Sequence, residues 1–216
     1  MTRTIVILLA LAGGCSALDP SAMQQPSLYS LDRVRSELQA VRLPAAMSPV
    51  APTLIVNPPR AAAGFDSQRI VYVREAHKRE YFAHSEWIDT PARMLAPLIV
   101  VAVENSGTFR AVVPTPSAAA GELRLDTEIV RLQHEFDARP SRVRFTLRAY
   151  VVDNSTRRVL AWREFDETVP AATEDPYGGI LAANRAVQVV LGQLADFCTA
   201  AAGSWQREIS AAKPGR

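Results

Sequence analysis

The sequence predicts an α+β fold in two layers, a largely antiparallel sheet with two amphipathic helices on one face. Three observations predict it. Leu123, Leu125, Thr127 and Ile129 alternate with Glu122, Arg124, Asp126 and Glu128. Val143, Phe145, Leu147, Ala149 and Val151 alternate in the same way with Arg142, Arg144, Thr146 and Arg148. A period of two puts one wall on the core and one in water, as in half-buried antiparallel strands. Residues 90–107 and 175–202 instead repeat apolar side chains every three or four positions, as helices do. Blocks of strands and helices in this order pack as α+β layers.

Taken in order, the chain opens on Arg3, an apolar run from Ile5 to Ala12, and Gly13-Gly14 ahead of Cys15. That run is far short of the roughly 20 residues that span a bilayer. Its basic, apolar and small-residue zones are those of a secretory signal, so residues 1–14 read as a cleaved leader. Residues 15–52 read as a tether, because Pro20, Pro26, Pro44, Pro49 and Pro52 hold the chain extended. Within it, Ser27-Leu28-Tyr29-Ser30-Leu31 alternates and suggests an edge strand, while 32–43 suggest a short helical turn without a clear apolar stripe.

The folded domain is expected over residues 53–205. Leu54-Ile55-Val56, closed by Asn57-Pro58-Pro59, reads as a buried strand. Arg69-Ile70-Val71-Tyr72-Val73-Arg74 is a second strand, and the charged stretch 76–82 its hairpin partner near an edge. Thr90 is placed to cap a helix with Pro91 at its first position. Met94, Leu95, Leu98, Val101 and Ala102 form its stripe, Pro97 bends it, and Gly107 stops it. Residues 109–113 are a strand ended by Pro114. After the loop at 118–121 come three long strands in a meander, the first with a parity slip at Val130 that indicates a bulge. The last helix starts at Asp175-Pro176, carries Ile180, Ala183, Val187, Leu191, Leu194 and Cys198 on one face, and is expected to end near Gly203. Residues 206–216 read as a polar tail.

Length and composition bound the function. The 216 residues allow one domain plus a tether, and 48% hydrophobic residues supply a core. A formal charge of +2 gives no electrostatic case for nucleic acid. With Cys15 at the mature N-terminus, Cys198 stands alone in an apolar helical pattern and reads as a buried, inert thiol. His77, His84 and His134 have no metal-ligand spacing, and neither a phosphate loop nor a nucleophile elbow occurs, so no catalytic residue, cofactor or metal is expected. The unusual segment is 81–91. Tyr81, Trp87 and Asp89 are its candidate partner contacts, against a plainer reading in which Trp87 packs on the sheet and Asp89 or Thr90 caps the helix.

Several residue runs, in order, carry a family resemblance: Tyr29-Ser30-Leu31, Leu54-Ile55-Val56, Phe65-Asp66, Arg69-Ile70-Val71-Tyr72, Tyr81 and Trp87-Ile88-Asp89-Thr90-Pro91-Ala92-Arg93-Met94-Leu95. They continue with Leu98, Ser106-Gly107-Thr108-Phe109, Arg158-Val159-Leu160-Ala161 and Ala183-Asn184-Arg185-Ala186. With the leader in front, the chain resembles the ABC-type transport auxiliary lipoproteins of Gram-negative bacteria, which accompany MCE-domain lipid transport systems. It departs from the family pattern at Pro97 and, in the leader, at Ala12, where leucine is usual. The resemblance implies lipid on Cys15 and, from Ser16, sorting to the periplasmic face of the outer membrane. It also implies a non-enzymatic body that docks an MCE-domain protein of a transporter for phospholipid or related apolar molecules. Self-association through sheet edges fits the same picture. The alternatives are a stand-alone lipid- or small-molecule-binding envelope lipoprotein and, from a different class, an envelope hydrolase.

Overall fold

The computed structural model describes residues 25–31 and 51–212; Cys15 and the turn expected at 32–43 lie outside these. The strands are β1 (Ser27–Tyr29), β2 (Thr53–Val56), β3 (Arg60–Ala61), β4 (Arg69–Glu75), β5 (Lys78–Trp87), β6 (Ala111–Pro114), β7 (Leu123–Glu135), β8 (Arg142–Asp153) and β9 (Val159–Pro170). The helices are α1 (Pro91–Asn105), between β5 and β6, and α2 (Pro176–Ala212), after β9.

The long strand β7 organises the sheet. On one side it pairs antiparallel with β8 along its whole length, and β9 lies antiparallel outside β8. On its other side β7 accepts three short parallel strands in turn: β2 at Leu123–Leu125, β3 at Glu128–Ile129 and β4 at His134–Glu135. Beyond β2 lies β6, parallel; beyond β4 lie β5, antiparallel, and β1, parallel, at the edge. The sheet therefore forks, with β2–β6 on one arm and β4–β5–β1 on the other. The expected meander, hairpin, edge strand and bulge are all present, the bulge as a register shift between Ile129 and Arg131. Every residue of β2 is buried, as its unbroken apolar run requires in a strand covered on both faces.

The two helices touch each other, and their apolar faces close one core with Leu54, Leu125, Phe145, Leu147 and Phe165 of the sheet. Burying each such side chain contributes about 1.5–3 kcal/mol. In α2 the expected stripe Ile180, Ala183, Val187, Leu191, Leu194 and Cys198 is buried throughout. α2 is also long and apolar enough to cross a membrane, but half of that window is buried within the domain. In α1 the buried side is Leu95, Leu98, Ile99, Ala102 and Val103, so Met94 and Val101 sit at its margin.

Two expectations are corrected, at the end of α2 and at Thr90. α2 does not stop at Gly203 but continues to Ala212. Its extra turns gain partners: Trp205 packs against the core, and Glu208 pairs with Arg158. The edge strand expected within the tether at residues 27–31 is well anchored: β1 joins the sheet, Leu31 is only 1% exposed, and Asn184 Nδ2 donates to the Ser30 carbonyl at 3.2 Å. Thr90 is extended at the start of α1, but its side chain makes no cap bond. Pro91 at the first position, lacking an N–H, removes one of the unpaired donors of the helix start, while those of the next residues are left without a Thr90 side-chain partner.

Candidate docking surface

The contacts expected at 81–91 separate once folded. Trp87 ends β5 beside Tyr29 of β1 and is 3% exposed, so it is a core residue and offers nothing to a partner. Asp89 works locally: one oxygen accepts the Thr90 N–H at 2.8 Å and the other pairs with Arg93 at 3.1 Å. Tyr81 does stay at the surface, with the Arg69 guanidinium 5.1 Å above its ring.

A further candidate surface is the outer edge of β1, with which no described strand pairs. Leu28 (58%), Ile88 (55%) and Tyr177 (56%) are large apolar side chains left exposed around it. Ile88 N–H donates to the Tyr29 carbonyl at 2.8 Å, and the Tyr29 and Tyr177 rings lie 6.5 Å apart. A strand edge with unpaired amides and flanking apolar groups is a template for another chain. Periodicity could not find these residues, because they come from three segments far apart in sequence. The only sequence signal was Ile88, an apolar residue following Trp87 where the strand should end.

The centre most like a catalytic one is buried. His134 Nε2 and Ser141 Oγ are 2.8 Å apart, but Ser141 is fully buried, and Glu174 accepts the Ser141 backbone N–H instead of facing the imidazole. His134 Nδ1 has no partner among the described residues. A nucleophile needs access and a base oriented by its acid, and this arrangement has neither. Among the described residues no three His, Cys, Asp or Glu side chains converge as a metal would need. Burial pushes the Cys198 thiol up to about 12, which leaves it protonated and inert.

Burial also lowers the pKa of His134, while Glu174 and Asp175 act the other way with smaller effect. The native state holds the ring neutral, whereas the unfolded chain takes a proton near pH 6.5. Stability is therefore full above that pH and declines as pH falls through it. Urea unfolding at pH 7.5 and pH 5.5 should show a lower midpoint at pH 5.5. His134→Gln should narrow the gap, and an unchanged gap would exclude His134 as the cause.

A forked, mostly antiparallel sheet covered by two helices around a filled core defines a domain of α+β class. The chain belongs to the family described as the ABC-type transport auxiliary lipoprotein component, whose model matches residues 29–195. This is a family of auxiliary lipoproteins rather than of enzymes, so the chain is a lipoprotein of the bacterial envelope that works beside an ABC-type transporter. Among solved structures it is similar to a DUF330 protein from Xanthomonas campestris, with 23% identity over 75% of this chain and 92% of that one and a TM-score of 0.68. A second, uncharacterised protein shares 10% identity over 81% of this chain and 99% of its own length, with a TM-score of 0.61. Both likenesses concern the fold. No curated protein matches the chain.

Proposed function

We propose that this chain is a non-catalytic docking subunit, anchored to the periplasmic face of the outer membrane by lipid on Cys15. Its body binds an MCE-domain protein of a transporter for phospholipid or related apolar molecules. The family match over residues 29–195 carries this reading. Two features support it. The chain has two cysteines, and Cys198 is fully buried, which leaves Cys15 as the thiol for acylation. The 10 residues 15–24 reach at most about 35 Å, so β1 and its apolar fringe stay close to the membrane. Self-association through free strand edges is compatible with the same arrangement.

A stand-alone lipid binder needs an apolar chamber between helix and sheet. Under α2 the cavity lined by Ile70, Trp87, Leu132, Ile180 and Ala183 holds about 10 Å³, enough for one water and not for an acyl chain. An open cleft of about 340 Å³ between α1 and the β2–β6 arm, lined by Val56, Ala96, Pro97, Val100 and Pro114, is the place such a ligand would have to use.

Cys15→Ser should move the protein from the outer-membrane fraction to the soluble periplasm. Recovery of the wild type with the inner membrane would overturn the placement. Crosslinking in cells should recover an MCE-domain partner with the wild type and lose it with Leu28→Glu plus Ile88→Glu. No such partner with the wild type would overturn the docking role.

A further inference from the structure

The outward face of the meander is a lattice of ion pairs with one gap. Arg124 meets Asp126 at 3.0 Å, Arg142 meets Glu135 at 3.1 Å and Asp137 at 3.0 Å, and Arg148 meets Glu164 at 2.7 Å and Glu128 at 3.5 Å. Arg144 takes Asp166 at 2.5 Å. Arg131, on the same face of β7, makes no hydrogen bond or close ion pair to a described residue; Asp166, already held by Arg144, acts on it only through space. It stands opposite Thr146, whose hydroxyl is given to Asp166 at 2.7 Å.

Arg131 is not alone there. The sheet forks beside it, since β4 meets β7 only at Tyr72–His134 and Val73–Glu135. The fork leaves a cleft of about 530 Å³ lined by Val73, His77, Lys78, Arg79, Arg131 and Gln133. The 62–65 loop holds Arg79 in place: Nη1 donates to the Ala63 carbonyl at 3.1 Å, and the guanidinium lies 4.7 Å over the buried Phe65 ring. Gly64, at φ +89°, makes room, since a Cβ there would sit 2.7 Å from Nη1. Neither the carbonyl nor the ring neutralises the charge. Lys78 has only Glu75, 3.9 Å away, and both are more than half exposed, so that pair is weak. Glu135 is already shared by Arg142 and the Gln133 amide. The whole chain carries a formal charge of only +2, so the excess of cations at this cleft is local.

We propose that this cleft binds a phosphate-bearing anion, held between Arg131 and Arg79 with Lys78 above it. Two guanidinium forks reached from different strands suit the several oxygens of a phosphate better than a lone carboxylate. The phosphate can come from a soluble monoester or from the diester of a lipid headgroup, which share this chemistry. The site is separate from the β1 edge and does not depend on the docking role.

Titration calorimetry on the full chain in nonionic detergent tests it with three water-soluble probes: inorganic phosphate, glycerol 3-phosphate and glycerophosphoglycerol, the deacylated headgroup of phosphatidylglycerol. At least one should bind, more weakly as salt rises. Tighter binding of the diester identifies a headgroup site, and tighter binding of phosphate or the monoester a soluble anion. Arg131→Gln and Arg79→Gln should each weaken binding about tenfold, the first with unchanged melting temperature, while the remote, exposed Arg157→Gln should not. No binding by any probe, or equal weakening by all three variants, overturns the proposal.

Discussion

Asp153→Ala should lower the unfolding free energy by about 3 kcal/mol, the scale of losing several hydrogen bonds to one buried charge. Oδ1 of Asp153 accepts the Ser155 hydroxyl at 2.6 Å, the Ser155 N–H at 2.8 Å and the Thr156 N–H at 2.9 Å, and Oδ2 accepts the Trp205 indole N–H at 2.9 Å. One carboxylate thus closes the β8–β9 turn and ties it to the far turns of α2. Denaturant unfolding checks both halves. In a Trp205→Phe background the same substitution should cost about 1 kcal/mol less; an equal cost would confine Asp153 to the turn. These bonds, the Ser155 hydroxyl first among them, hold the carboxyl well below the usual carboxylate range. Their stabilisation is therefore present above the unfolded pKa of about 3.9 and lost as pH falls below it.

Gly179→Ala should cost about 2–3 kcal/mol, the upper part of the range for overpacking a core, even though alanine is the better helix former. A Cβ at Gly179 would lie 2.4 Å from His134 Nδ1 and 2.9 Å from its Cε1. The ring has little room to swing aside, because Nε2 lies 2.8 Å from the Ser141 hydroxyl and the tilted Phe136 ring packs on it at 4.1 Å between centroids. In a His134→Ala background the same change should be neutral or stabilising. Thermal unfolding of the two single variants and the double variant decides it: equal destabilisation in both backgrounds would exclude the clash.

The sheet's two sides were unequally legible. β7, β8 and β9 are antiparallel with one wet face, so their side chains carry the period of two in full. The fork was hidden. β2, β3 and β4 join β7 through parallel backbone bonds between residues far apart in sequence, and such bonds leave no local pattern. The same distinction explains the helices. The stripe of α2 is local and readable, but its continuation past Gly203 depends on Asp153 and Arg158, contributed by the β8–β9 turn.

The candidate site followed the same division. Trp87 and Ile88 are adjacent apolar residues at a strand end, and composition cannot say which one points inward. Pairing with β1 decided it, burying Trp87 and leaving Ile88 outside with Leu28 and Tyr177. The unpaired Arg131 was equally invisible, because it looks like every other outward arginine until each one's carboxylate is located.

By itself the sequence determined the α+β class, the meander with its bulge, the buried stripe of α2 and the family, since each rests on near neighbours or on the linear order of residues. Only the tertiary structure decided the fork, the true end of α2, the core placement of Trp87 and Leu31, the exposed β1 edge and the basic cleft. Each of these depends on which distant backbone supplies a hydrogen bond or which distant side chain cancels a charge, and the linear order of residues does not encode that choice locally.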